Sequence, residues 1–251
     1  MAEDTNFASS TTSCRLASLC LEEQEDPYSF PYWRETSALG WTFAYIIYII
    51  GSQKHKQYRG VPFAALVLNL AWEFAFSFVW IENQSRVQLI IHYVWLGFDV
   101  MLALQFLRFE WKNFCQYRTW YLLLAVTLSL FLFIFIVELS DYTGTYMAFG
   151  QNLIMSIMFV QDALTMESSR CGDDPWTTWI AGLLRLIGTA AASIGIFPLI
   201  YDSHQHSPEK KPQPLLPFFF VFCFIWDMYY VYLTLKLWSS SHRNTKTRKN
   251  N

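Results

Sequence analysis

From residue 37 onward, long apolar runs alternate with short polar stretches. Seven runs reach or approach the roughly 18–20 residues that a helix needs to cross a bilayer. They cover 37–52, 61–81, 87–107, 120–139, 144–165, 177–201 and 215–238. The first is the shortest, and Tyr32 and Trp33 just upstream can lengthen it. The pattern predicts an all-α membrane protein: a seven-transmembrane helix bundle forming one domain over 37–238, since no connection is long enough to fold alone. Residues 1–36 read as a polar acidic N-terminal tail. They hold seven acids and no apolar core, unlike a cleavable signal peptide. Residues 239–251 read as a basic tail. No internal repeat is visible, which weighs against transporters built from duplicated halves.

Composition sharpens this picture. Of the 251 residues 53% are hydrophobic and only 15% charged, against roughly 25% charged in an average soluble chain. Composition therefore argues against a soluble enzyme, and a net charge of −2 leaves no basic footprint for nucleic acid. Five cysteines form no CxxC pair, so neither a disulfide framework nor a zinc site is indicated. Eleven basic residues in the loops and tail on one side face five on the other. That bias places the N-terminus in the lumen and the C-terminus in the cytosol. The sequon Asn83-Gln84-Ser85 then falls on the lumenal side, hugging the membrane.

Ionisable side chains at mid-depth are costly and mark candidate sites. Glu73, Asp99 and Asp227 each stand about twelve residues into the second, third and seventh runs, near the midplane at roughly 1.5 Å per residue. They are expected to converge on one cavity. Asn69 shares a helical face with Glu73, and His92 and Trp95 share one with Asp99. Phe220, Phe224, Tyr230 and Val231 share the stripe of Asp227. Each acid thus reads as flanked by rings rather than by basic partners, and burial without a cation favours the neutral form, able to donate a proton. Each also has a plainer reading, as a hydrogen bonder between helices.

Asp162 and Arg185 are expected to form an ion pair near the cytosolic ends of adjacent spans, while Lys236 snorkels. Gln151, Met155, Met158 and Asp162 line one face of the fifth run, edging the cavity or merely packing. Gly182, Gly188, Ala192 and Gly195 suit close helix packing in the sixth. Trp72 and Trp226, beside the two acids, are candidate walls for a passing carbocation, worth about 0.5–2 kcal/mol per ring.

Several motifs are missing: DxDD, an aspartate-rich DDxxD on a helix, GxSxG, HExxH and GxGxxG. Asp173-Asp174 precedes Pro175 and reads as cytosolic turn material, and His204 and His206 read as part of a polar, Pro-rich lumenal loop. No lysine stands mid-span in the last run for a retinal Schiff base, which argues against a photoreceptor.

The stretch Asn69-Leu-Ala-Trp72-Glu73-Phe, paired with Trp226-Asp227-Met-Tyr-Tyr, resembles the integral-membrane terpene cyclases of fungal meroterpenoid and indole-diterpene pathways, the paxilline-cyclase type. The likeness extends over nearly the whole chain. It implies proton-initiated cyclisation of a polyprenyl chain, usually an epoxide on an aromatic or indole head group. It also implies Glu73 and Asp227 as the catalytic acids. Asn69, Trp72, His92, Trp95, Asp99, Phe224, Trp226 and Tyr230 are the candidate substrate-binding residues. Neither metal nor cofactor is expected, because no diphosphate leaves. Glu73 and Asp227 would act as a coupled pair, with Tyr, His92 or water taking the final proton. The partners implied are a hydrophobic prenylated small molecule and the lipid bilayer, and the membrane that of the endoplasmic reticulum. A proton-coupled small-molecule transporter is the alternative, since it too would use midplane carboxylates.

Overall fold

The computed structural model describes residues 31–139, 141, 144–165, 179–206 and 215–249. Most of the acidic tail, the Asp173-Asp174 turn, and Cys14, Cys20 and Cys171 lie outside the described residues, as do the side chains of Asn83, His204 and His206. The described chain is helical. Helix α1 is Pro31–His55, α2 Phe63–Phe74, α3 Arg86–Phe109, α4 Trp111–Gln116, α5 Arg118–Glu138, α6 Thr145–Thr165, α7 Ala181–His206 and α8 Leu215–Lys249. Six of the seven apolar runs each become one long helix, and the second becomes the 12-residue α2 with a π-helical turn after it. The first starts at Pro31 and so takes in Tyr32 and Trp33, while α8 continues through the stretch read as the basic tail.

Three helical stretches are long and apolar enough to cross a membrane: Arg86–Phe109, Arg118–Glu138 and Leu215–Ser240. Phe63–Val79 and Ala181–Ile196 are apolar but shorter. The polar residues that dilute the other helices point inward. Ser37 and Ser52 of α1, Asn69 and Glu73 of α2, Gln151, Asn152 and Ser156 of α6, and Arg185 and Thr189 of α7 are all buried. Leu122, Leu123, Val126, Leu130 and Ile134 of α5 are exposed on the outer surface instead. The arrangement is inverted relative to a water-soluble bundle: the surface is greasy and the interior carries the polar groups.

Helices α6, α7 and α8 alternate in direction along the chain. Asn152 meets Thr189 and Ser156 meets Arg185, so α6 and α7 are antiparallel. Phe149 meets Phe220 and Phe159 meets Tyr230, so α6 and α8 run the same way. Helices α1 and α7 pack closely through the small residues the sequence offers. A Cβ on Gly40 would stand 2.8 Å from the Leu184 carbonyl oxygen and 3.0 Å from the Gly188 Cα. One on Gly188 would stand 3.1 Å from the Ser37 carbonyl oxygen. Trp33 covers Gly195 and Tyr230 covers Gly182 in the same manner, as the small-residue stripe on α7 predicts.

Helix α2 does not continue regularly. Directly after Glu73 and Phe74 it widens into a π-helical turn, Ala75–Val79, in which the Trp80 N–H donates to the Ala75 carbonyl at 3.0 Å. Ser85 caps α3, its hydroxyl accepting from the Gln88 N–H at 3.2 Å.

Replacing Gly40 with Val is expected to destabilise the bundle by about 1–3 kcal/mol, because the clash is with backbone that cannot rotate away. Gly97, which has nothing within 4 Å of an added Cβ, should accept Ala with a gain of up to about 1 kcal/mol. The midpoints of thermal unfolding in detergent compare the two.

Candidate active site

Helices α1, α2, α3, α6 and α7 surround a cavity of about 420 Å³. Arg34, Ser37, Ala38, Trp41 and Tyr45 supply one stripe of α1; Gln88, Ile91, His92 and Trp95 supply one of α3. Both follow the three-and-four spacing of a single helical face. Its mouth lies where Arg34, Gln84, Ser85, Gly144 and Gly195 meet, and its depth is reached at Asn69, Trp72 and Glu73 of α2. Thr145, Gln151, Asn152 and Met155 of α6 and Thr189 and Ala192 of α7 form the facing wall. The site is therefore two-sided. Aromatic rings of α1 to α3 face amides and hydroxyls of α6 and α7.

Glu73 is 2% exposed and its Oε2 lies 2.8 Å from His92 Nδ1. The other ring nitrogen of His92 is 3.3 Å from the Gln88 side-chain amide. Trp72 meets the imidazole edge-on at 4.8 Å between centroids, and Phe76 stacks on it at 5.9 Å. The imidazole is thus held in plane by rings and along its axis by hydrogen bonds. Phe76 reaches it from the π turn, which brings the residues after Glu73 round to the α3 side.

Asp99 is fully buried near the Tyr45 hydroxyl and the Asn69 amide, and neither of its oxygens has a hydrogen-bond partner among the described residues. Asn69 donates instead to the Tyr45 hydroxyl. Trp95 Nε1 donates to Thr42 Oγ1 at 3.1 Å, fixing a cavity ring against α1.

The other acid is held elsewhere. Arg185 Nη2 donates to Asp227 Oδ1 at 2.8 Å and to Ser156 Oγ at 3.3 Å. Both charged groups are buried, at 0% and 1% exposure. The guanidinium carbon lies 3.8 Å over Phe159, with Trp41 at 5.4 Å and Tyr230 at 5.8 Å. Rings take the place of hydrogen bonds for Arg185 Nε and Nη1. Among the described residues none of α8 lines the cavity, so Asp227 stands one layer behind its wall of Asn152 and Thr189.

Several expectations are corrected here. The acids are not flanked by rings alone: Glu73 has His92 and Asp227 has Arg185. Arg185 bonds to Asp227 rather than to Asp162, because it points into the bundle toward α8. Glu73 and Asp227 do not bond to each other, and only Glu73 faces the cavity. Asn69, Trp72, His92 and Trp95 line the cavity with Glu73. Phe224 is 49% exposed on the outer surface, Trp226 is half-buried and Tyr230 is buried behind the ion pair. On α6, Gln151 and Met155 edge the cavity, while Met158 and Asp162 do not. The residues that sequence reasoning missed are Trp41, Tyr45, Gln88, Asn152 and Thr189. Helical spacing from Glu73 and Asp99 along their own helices cannot reach across to α1, α6 and α7, whereas Gln88, four residues before His92 on α3, was within reach of that spacing.

The model of the Pyr4-like transmembrane terpene cyclases matches residues 33–242, which takes in every cavity residue and the Arg185–Asp227 pair. The chain belongs to that family. A member, the Pyr4-family terpene cyclase mfmH of Annulohypoxylon moriforme, is 28% identical over 210 residues, covering 80% of this chain and 83% of the relative. No solved structure matches. Membership makes the chain a membrane protein of a terpene cyclase family, and nothing in the comparison favours a transporter.

His92→Phe keeps a ring between Trp72 and Phe76 but strips Glu73 of its partner. It is expected to destabilise the protein by about 1–3 kcal/mol, the cost of an orphaned buried polar group. Adding Glu73→Met should recover most of that loss, as read from thermal unfolding of both variants in detergent.

Proposed function

We propose that this chain is a seven-span, metal-independent terpene cyclase of the endoplasmic reticulum, with its N-terminus lumenal. Its substrate is a polyprenyl chain with a terminal epoxide or alkene, carried on an aromatic or indole head group. The observation that carries this reading is a buried carboxyl, Glu73, at the deep end of a ring-walled cavity with an imidazole bonded to one of its oxygens. The cavity volume lies in the range usual for small-molecule sites.

Glu73 is the acid in this reading. Sharing one acidic proton, carboxyl and imidazole form a net-neutral couple that suits an apolar interior. The proton passes to the epoxide oxygen, the C–O bond opens, and neighbouring alkenes close rings in turn. Trp41, Tyr45, Trp72 and Trp95 face the migrating cation with their π-electrons. Loss of a proton from the last cation to the Glu73–His92 couple restores the starting state. The folded cavity supplies proximity by holding the chain near its cyclised shape. On the opposite wall, Gln151, Asn152 and Thr189 offer hydrogen bonds to a polar head group. Asp227, behind that wall and neutralised by Arg185, has no route to the substrate that matches Glu73's.

Membranes holding the protein, given epoxidised farnesyl- or geranylgeranyl-aromatic compounds and a chelator, should yield ring products. Glu73→Gln should lower that turnover by at least about 100-fold, the scale of a lost general acid. Full activity in Glu73→Gln, or activity abolished by the chelator and restored by a divalent metal, would overturn the reading.

A further inference from the structure

A second cavity, of about 380 Å³, enters from the opposite end of the bundle. Its outer walls include Arg59, Glu110 and Asp162, and its inner end is formed by Tyr48, Phe159 and Tyr230. Its charged outer walls and its volume give it the room and the polar partners that water needs. Phe159 and Tyr230 are the rings that hold the Arg185 guanidinium, whereas Trp41, on another side of the same guanidinium, lines the first cavity. The Arg185–Asp227 pair therefore stands between the second cavity and the first.

We infer that the Arg185–Asp227 pair is a water barrier, a positioning element that keeps solvent of the second cavity out of the first. The pair closes the section between α6, α7 and α8 with matched charges and stacked rings. Removing one member strands the other charge in the interior, and the nearest relief is water drawn from the second cavity. The purpose of the barrier rests on the proposed cyclase chemistry; its existence rests on the geometry alone. Water reaching the first cavity would form a C–O bond to the carbocation and pass its extra proton to a second water, ending the cascade as an alcohol.

Cys223 reports on the barrier. It is fully buried one helical turn before Asp227, with its Sγ 3.6 Å from the Phe149 carbonyl oxygen. In full-length protein with Cys14, Cys20, Cys115 and Cys171 changed to Ser, a charged methanethiosulfonate should label Cys223 slowly. Asp227→Asn should speed labelling by at least about tenfold, the uncompensated Arg185 admitting solvent. The apolar pair Arg185→Met, Asp227→Leu should return it to the parent rate. Labelling of Asp227→Asn at the parent rate overturns the barrier, and so does labelling of the apolar pair at the fast rate. If the apolar pair does not fold, Asp227→Glu replaces it: labelling slower than in Asp227→Asn is expected, and equal labelling overturns the inference. In H₂¹⁸O, residual turnover by Asp227→Asn should give a larger share of ¹⁸O-labelled alcohol than the parent, and an unchanged share counts against the barrier. A parent that cyclises nothing while Cys223 behaves as expected would remove the functional reading and leave the barrier standing.

Discussion

Ionisable groups inside a lipid-facing bundle are costly unless the protein compensates them, and two contacts here do so for two of the three buried mid-helix acids, Asp99 being the third. Glu73 meets His92 between α2 and α3, and Asp227 meets Arg185 between α8 and α7. Each contact joins helices that the chain must bring together from a distance, and each needs its partner because an unmatched charge in this interior costs several kcal/mol. The surrounding structure follows from that constraint. Rings pack on the imidazole and on the guanidinium, small residues let α1 and α7 approach, and the remaining polar side chains of α6 and α7 turn toward the space left between the two contacts.

The two contacts differ in what they face. The Glu73–His92 contact opens onto the cavity and ends in Gln88, near the mouth. The Arg185–Asp227 contact is closed on the cavity side by Asn152 and Thr189 and boxed by aromatic rings elsewhere. Two buried acids thus have different surroundings, one facing whatever enters the cavity and the other locked in place. Such separation of environment is how a single interior assigns different tasks to chemically similar groups.

The helices were legible in the sequence because lipid-facing positions must be apolar whatever the interior does, so runs such as 87–107 and 120–139 mark α3 and α5 with little ambiguity. The acids at mid-depth were legible for the same reason. What lay beyond reach was the rotation of each helix about its axis. Arg185 and Asp162 sit near each other along the chain's turns, yet a difference in facing sends Arg185 to Asp227 on α8. Phe224 shares a stripe with Asp227 on an ideal wheel but looks outward, because Cys223 and Asp227 take the inner face of α8. The glycine stripe on α7 was readable since close approach demands small residues on one face, and Gly188 and Gly195 meet α1 there.

The widened turn Ala75–Val79 has a consequence for how such a site can diversify. Inserting or deleting one residue in that turn rotates the residues just after it by about 100° while leaving the preceding helix untouched, and the irregular link over 81–85 can absorb the change before α3 begins. Glu73 lies upstream of the turn and its partner His92 lies in α3 beyond the link, whereas Gln84 and Ser85 at the entrance lie in the link itself. A lineage could therefore re-aim the doorway by single-residue indels, admitting differently shaped guests, without re-evolving the reactive end.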